Sequence, residues 1–161
     1  MTACVLRYRE LYEAVAASGG TLLQPGIVEM LAAVGRDATL AVATSKSLRF
    51  AEPILSALGI RDAFAVVVGP TPESDGESKT ETLRRAIEAL ARGWSAVADR
   101  QACMVGDRHH DIAAALACGV VPVGATWGFG SARELRDAGA AHLVAAPAEL
   151  PPLVRRLAGA A

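Results

Sequence analysis

The chain has 161 residues, enough for one domain with a substantial hydrophobic core. Its residues are 52% hydrophobic but only 4% aromatic, a composition typical of α/β proteins whose strands are covered on both faces. The formal net charge of −1 excludes a basic surface for nucleic acid or anionic membranes, and no apolar run approaches the roughly 20 residues that span a bilayer. Three scattered cysteines without metal-ligand spacing favour a reducing, cytoplasmic setting.

Apolar periodicity and turn residues predict helices and short buried strands that alternate along the chain. Strands that alternate with helices of about ten residues indicate a parallel sheet with crossover helices, hence an α/β fold. The predicted helices are at 3–17, 27–35, 48–58, 79–91, 111–118, 132–138 and from 148 onward. The predicted strands are at 39–44, 63–69, 102–105, 120–125 and 141–145.

In a parallel sheet, ligands bind outside the carboxyl ends of the strands, so the residues after each apolar run are candidates for a site. Thr44, Ser45 and Lys46 follow the first predicted strand and precede a helix. Hydroxyls and backbone N–H groups at a helix N-terminus suit a phosphate group. Alternatively, Ser45 or Ser47 serves only as the cap of that helix.

Lys79 opens the helix that follows a polar loop at 69–78, and it is one of only two lysines among sixteen basic residues. A cation in the first turn of a helix opposes the helix dipole, so helix stability does not explain its position. Either this ammonium has a binding role, or it is a solvated lysine held by Glu77 or Glu81.

Two carboxylates follow Gly106 at the end of the strand at 102–105. Asp107 leaves the strand tip and Asp111 lies one helical turn further on, so both carboxylates can face one point. Two hard oxygen ligands that leave room for water suit Mg²⁺. The alternative is that Asp111 caps its helix while Asp107 pairs with Arg108 or a lysine.

Taken in order, these motifs resemble the haloacid dehalogenase superfamily of phosphotransferases, specifically its phosphoglycolate phosphatase-like branch. LAVATSK is similar to the second motif of the family, in which the threonine, here Thr44, binds the transferring phosphoryl group. ESKTETL places Lys79 where the lysine of the third motif neutralises the phosphate and the nucleophile. MVGDRHHDI resembles the fourth motif, whose acids, here Asp107 and Asp111, hold Mg²⁺ directly or through water.

The resemblance covers nearly the whole chain and implies catalytic roles for Thr44 and Lys79, with phosphate binding by Thr44, Ser45 and Lys46. WGFGS is similar to a loop beside the site, on which Trp127 and Gly128 lie. The implied fold is the three-layer, Rossmann-like parallel sheet of the family core over residues 21–161. Residues 1–20 resemble a remnant of the helical cap domain and its linker.

The sequence departs from the family because it contains no Asp-x-Asp anywhere. In the family, the first motif, Asp-x-Asp-Gly-Thr, supplies the nucleophile, the acid/base aspartate and a metal ligand on a strand that precedes the cap. We therefore expect the central first strand to be missing, and the strands at 39–44 and 102–105 not to pair with each other. Their unpaired edges would allow self-association.

Two functions remain open. The first is a Mg²⁺-dependent phosphatase that hydrolyses a small phosphorylated metabolite such as phosphoglycolate through an aspartyl-phosphate, at the level of the full-length family protein. The present sequence would then be a truncated, inactive form. The second is a non-catalytic remnant that binds phosphate ligands or a partner protein. Retention of Thr44, Lys79, Asp107 and Asp111 favours the first function, and the absent nucleophile favours the second.

Overall fold

The structure is a computed structural model that describes residues 21–74, 76–93 and 102–159. The predicted helix at 3–17 and the cap remnant at 1–20 lie outside these residues. Strands and helices alternate over the described part of the chain. The strands are β1 (Ala41–Ala43), β2 (Val66–Val68), β3 (Cys103–Gly106), β4 (Val121–Ala125) and β5 (His142–Val144). The helices are α1 (Ile27–Val34), α2 (Leu48–Ala57), α3 (Lys79–Gly93), α4 (His109–Ala117), α5 (Ala132–Asp137) and α6 (Leu150–Gly159).

All strand pairs among the described residues are parallel, as predicted, and they form two separate groups. β1 pairs with β2, with Ala41 opposite Val66. In the second group β4 lies between β3 and β5. Within the described residues β1 and β3 are not hydrogen-bonded neighbours, which confirms the prediction for the strands at 39–44 and 102–105.

Helices cover both faces of the strands and make the three layers of the Rossmann-like core. Along β3 the side chains alternate between the layers, as the two-residue period of a strand requires. Met104 packs against Leu83 of α3 and against α4, whereas Cys103 and Val105 pack on the opposite side. The buried side chains of that opposite side come mainly from α1, β4 and α6: Met30, Leu31, Val34, Val123, Ala125, Leu150, Leu153 and Val154.

Several predicted boundaries differ from the structure by one to three residues, and two of these differences have a clear local reason. The strand predicted at 63–69 is reduced to β2 because the residues before it form a 3₁₀ turn, where the Arg61 guanidinium donates to the Phe64 carbonyl oxygen at 2.8 Å. The helix predicted at 111–118 begins two residues earlier, at His109. Among the described residues, no helix is both long and apolar enough to cross a membrane.

Candidate active site

Lys79 connects the carboxyl end of β1 to the first turn of α4. Its Nζ donates to the carbonyl oxygen of Ala43 at 2.6 Å and lies 3.0 Å from Oδ1 of Asp111. The side chains of Lys79 and Asp111 are only 14% and 7% exposed, so water screens this ion pair weakly. These contacts bring Lys79 to the end of β1, one residue before Thr44, and to the helix that follows Asp107, as expected for a parallel sheet whose strands end at one edge.

Local capping explains why α3 begins at Lys79. The Ser78 N–H donates to Oε2 of Glu81 at 2.8 Å, and the Glu81 N–H donates to the Ser78 hydroxyl at 3.3 Å, which together form a capping box. Hydrogen bonds from the side chain and backbone of Ser78 lower the pKa of Glu81. Glu77 pairs with Arg85 at 2.6 Å. Lys79 is therefore not held by Glu77 or Glu81, the alternative that the sequence left open.

Asp111 is buried, and both of its carboxylate oxygens have protein partners. Oδ1 faces Lys79, and Oδ2 accepts the Arg108 N–H at 3.1 Å, which starts α4 at His109. Gly106 makes room for this carboxylate, since a Cβ at Gly106 would lie 2.2 Å from the Asp111 Cβ. Asp111 thus caps α4, which the sequence left open as the alternative to metal binding, and the same side chain also pairs with a lysine.

Asp107 has a different environment although it lies in the same turn. Its Oδ2 accepts the Phe129 N–H at 2.8 Å, and no protein partner of Oδ1 is found among the described residues. The loop carrying Phe129 reaches this carboxylate because residue 128 is glycine: a Cβ at Gly128 would lie 2.3 Å from the Asp107 Cβ. Arg108 does not pair with Asp107, contrary to one of the alternatives, but with Glu134. One oxygen of Asp107 is therefore anchored and the other is available to a ligand.

Glu134 on α5 is a site residue that sequence reasoning missed. Its Oε1 accepts hydrogen bonds from Nε of Arg108 at 3.0 Å and from the backbone N–H of His109 at 3.0 Å, and it lies 2.9 Å from Nδ1 of His109. These contacts, led by the His109 backbone N–H, lower the pKa of Glu134 to about 2. The hydrogen bond to Glu134 in turn raises the pKa of Arg108. The available signal was the spacing Ser131-x-x-Glu134, which is typical of a capping box.

The residues after β1 form a turn at the same edge. The Thr44 N–H continues the β1–β2 ladder by donating to the Val68 carbonyl oxygen at 2.9 Å, and Oγ1 of Thr44 accepts the Lys46 N–H at 3.0 Å. The hydroxyl of Thr44 can still donate its own hydrogen to a ligand. Ser45 is exposed, and Ser47, which precedes α2, makes no side-chain capping bond. The geometry gives no support to the alternative that Ser47 is only a cap.

Three comparisons place these features among known proteins. The sequence model described as haloacid dehalogenase-like hydrolase matches residues 2–119. The chain is 34% identical to the probable phosphatase IndB of Dickeya dadantii, covering 86% of this chain and 59% of that protein. It is 32% identical to the phosphoglycolate phosphatase of Escherichia coli (strain K12), covering 73% of this chain and 45% of that protein.

One solved structure resembles this chain over a larger share of both chains than the two relatives above do. The haloacid dehalogenase-like hydrolase from Streptococcus pneumoniae superposes with a TM-score of 0.81 at 25% identity, covering 92% of this chain and 67% of that chain. The chain spans about half the length of the curated relatives that it matches.

Proposed function

Because this chain belongs to the haloacid dehalogenase-like hydrolase family, we propose that its site is part of a Mg²⁺-dependent phosphatase acting on a small phosphate monoester such as phosphoglycolate. The observation that carries the proposal is the placement of the Lys79 ammonium, 2.6 Å from the Ala43 carbonyl oxygen and 3.0 Å from Asp111. A cation at this point neighbours both the end of β1, which the Thr44 turn follows, and the Asp111 carboxylate. Phosphoryl transfer requires such groups around one phosphate.

Phosphate binding would use the turn after β1 together with Lys79. The hydroxyl of Thr44 and the backbone N–H of Ser45 are donors ahead of α2, and donors at a helix N-terminus favour anions. The Lys46 N–H already donates to Oγ1 of Thr44 and so shapes this turn. The weakly exposed ammonium of Lys79 would neutralise a phosphate oxygen in a charge-assisted hydrogen bond. These residues bind and orient the ester in our proposal, and the identity of its organic part stays a proposal drawn from the relatives.

The donor set at the second carboxyl end fits Mg²⁺, which usually keeps several waters and takes one or two carboxylates plus substrate oxygens. Asp107 would hold the ion directly through Oδ1, since Oδ2 is anchored by the Phe129 N–H. Asp111 would act through water, because its oxygens already bind Lys79 and the Arg108 N–H. The described residues hold no group of three or more His, Cys, Asp or Glu side chains suited to a metal. When bound, the ion would supply positive charge to the phosphate oxygens.

Turnover also requires a nucleophile, and these 161 residues contain no Asp-x-Asp. We propose that this polypeptide binds metal and phosphate without forming the aspartyl-phosphate, and that hydrolysis belongs to the full-length family protein. The missing motif also favours a second function, a non-catalytic protein that binds phosphate ligands or a partner. Free thiols at Cys103 and Cys118 support our proposal of a reducing, cytoplasmic compartment.

Calorimetric titration with inorganic phosphate, with and without Mg²⁺, tests the proposed site. We expect phosphate to bind more tightly when Mg²⁺ is present, and the substitution Asp107→Asn to remove that difference. Asp137→Asn is the control, because it removes an exposed carboxylate that pairs only with Arg133 in the contacts observed on α5. Equal phosphate affinity with and without Mg²⁺ in the unsubstituted chain would refute the metal-dependent site.

A further inference from the structure

The geometry points to Glu134 as a positioning residue that holds the turn carrying Asp107 in the conformation that presents its free oxygen. The inference deepens the proposed function, on which it rests, because it concerns how the chain prepares the proposed metal ligand. Glu134 itself would touch neither metal nor phosphate. It would act through Arg108 and His109, the two residues that follow Asp107.

The first argument is that Glu134 makes tertiary contacts from a position suited to local capping. At the start of α3, Glu81 occupies the same place in a Ser-x-x-Glu pattern, and its carboxylate returns to the Ser78 N–H. At the start of α5, the Ser131 hydroxyl accepts the Glu134 N–H at 3.0 Å, the first half of the same motif. The Glu134 carboxylate instead reaches across to the start of α4.

The second argument is the number and kind of groups that meet at one oxygen. Arg108 precedes α4 and His109 is its first residue, so Oε1 of Glu134 accepts a backbone N–H that has no partner within its own helix. The same oxygen also binds the Arg108 guanidinium and contacts the His109 ring. Hydrogen bonds that involve a charged group are shorter and stronger than neutral ones. The start of α4 is therefore tied to α5 at several atoms.

The third argument is that Asp107 lies between two anchors from one segment of chain. Phe129 binds the Asp107 carboxylate through its N–H, and Glu134 binds the two residues that follow Asp107. Between these anchors, Gly130 packs against the Asp107 backbone, since a Cβ there would lie 2.0 Å from the Asp107 carbonyl oxygen. Without the Glu134 contacts, the first turn of α4 could move away from this loop and change the direction of the Asp107 carboxylate.

The solvent exposure of the Glu134 contacts distinguishes a role in positioning Asp107 from a contribution to the stability of the fold. The side chains of Glu134, Arg108 and His109 are 28%, 43% and 60% exposed, and ion pairs open to water contribute little to folding. Removing Glu134 should therefore disturb Asp107 more than it disturbs the fold. Replacing a residue with a purely structural, buried role would instead destabilise the fold more than it disturbs Asp107.

The metal-free protein provides the first test. In the presence of a chelator, amide hydrogen exchange of Phe129 is compared in the unsubstituted chain, Glu134→Ala, Glu134→Gln and the control Asp137→Asn. We expect Glu134→Ala to lose protection at the Phe129 amide while the β4 amides keep theirs. Glu134→Gln keeps a carbonyl oxygen for the same donors and should retain part of the protection. Unchanged Phe129 protection in Glu134→Ala, or equal loss at every amide, overturns the inference.

Binding of Mn²⁺ alone, followed by electron paramagnetic resonance, provides the second test. Outer-shell partners of a ligand typically change metal affinity by about 10- to 100-fold, so Glu134→Ala should weaken Mn²⁺ binding by about tenfold or more. The Mn²⁺ affinity of Glu134→Gln should lie between those of Glu134→Ala and the unsubstituted chain. Asp137→Asn should bind Mn²⁺ as tightly as the unsubstituted chain. If Glu134→Ala does not fold, Glu134→Gln alone must show both effects, and its failure to do so overturns the inference.

The two measurements separate failure of the inference from failure of the proposed function. If the chain does not bind Mn²⁺ but the Phe129 amide responds to Glu134→Ala, the metal function fails and the positioning of Asp107 stands. If the chain binds Mn²⁺ and neither the amide nor the affinity responds, the inference fails and the proposed metal site stands.

Discussion

Lys79 and Asp111 form a weakly exposed ion pair, with 3.0 Å between Nζ and Oδ1, and the same ammonium donates to the Ala43 carbonyl oxygen. Ala43 ends β1, and Asp111 lies in the helix that follows β3. The strands β1 and β3 share no backbone hydrogen bond in the described residues. Lys79 therefore supplies a polar connection between two groups of strands that are not paired directly.

Replacing Lys79 by methionine should lower the free energy of unfolding by roughly 3–5 kcal/mol, because the Asp111 carboxylate would stay buried without its cation. Urea denaturation measures this loss. Arg133→Met, which breaks an exposed pair with Asp137, should have little effect. Adding Asp111→Asn to Lys79→Met should recover part of the loss if the two side chains are coupled. Strictly additive effects would contradict a coupled pair.

Gly128→Ala should disturb the Asp107 carboxylate, since the new Cβ would lie 2.3 Å from the Asp107 Cβ and the loop must move away. Forcing a methyl group into such a packed contact costs about 1–3 kcal/mol. We expect that loss in urea denaturation, together with weaker Mn²⁺ binding. The matched control is Gly159→Ala at the end of α6, where the added Cβ has no described atom within 4 Å apart from its chain neighbours and the backbone of its own helix. Equal stability of the two variants would contradict the tight approach of Gly128 to Asp107.

The pH dependence of stability should contain a contribution from Glu134. Its pKa in the folded protein is about 2, below the ordinary value of 4.5, so the unfolded chain binds more protons between these values. The stabilisation is present above about pH 4.5 and is lost as the pH falls towards about 2. Because these contacts are open to water, Glu134→Gln should be only slightly less stable than the unsubstituted metal-free chain near neutral pH, and this small difference in stability should shrink over the same window. Urea denaturation at several pH values would show a constant difference if Glu134 were not involved.

The 161-residue polypeptide should show no appreciable phosphatase turnover. Removing the nucleophile from a covalent mechanism costs on the order of 10⁶ in rate, and the sequence offers no Asp-x-Asp to supply it. Release of phosphate from an aryl phosphate in the presence of Mg²⁺ measures this. Turnover of about 1 s⁻¹, a value within the range of ordinary enzymes, that disappears in Asp107→Asn would mean that these residues contain a complete site.

A crystal structure of this polypeptide should keep β1 and β3 about two strand spacings apart, ~9–10 Å. Unpaired strand edges also favour association, so the sedimentation coefficient should rise with protein concentration. A second chain occupying the space between the strands would agree with this prediction. Direct pairing of β1 and β3 at ~4.8 Å would contradict it, because the two groups would then form one continuous sheet.

The sequence alone was sufficient to predict the order of elements and the edge on which the site lies. Short apolar runs ended by turn residues marked the strands, and the parallel arrangement followed from the helices between them. Because parallel strands end at one edge, the turn after β1 and the residues after β3 could be expected to meet there. The separation of β1 from β3 was predicted from the missing family motif rather than from any local pattern.

Only the tertiary structure distinguished the roles of chemically similar side chains. Asp107 and Asp111 look alike in the sequence, yet Asp111 is buried against Lys79 while Asp107 keeps an oxygen without a partner among the described residues. Glu81 and Glu134 occupy the same capping pattern, yet only Glu81 returns its carboxylate to its own helix, whereas Glu134 reaches α4. Sequence spacing encodes backbone periodicity, which is local. The partner of each carboxylate depends on which distant segments pack beside it, and folding alone decides that.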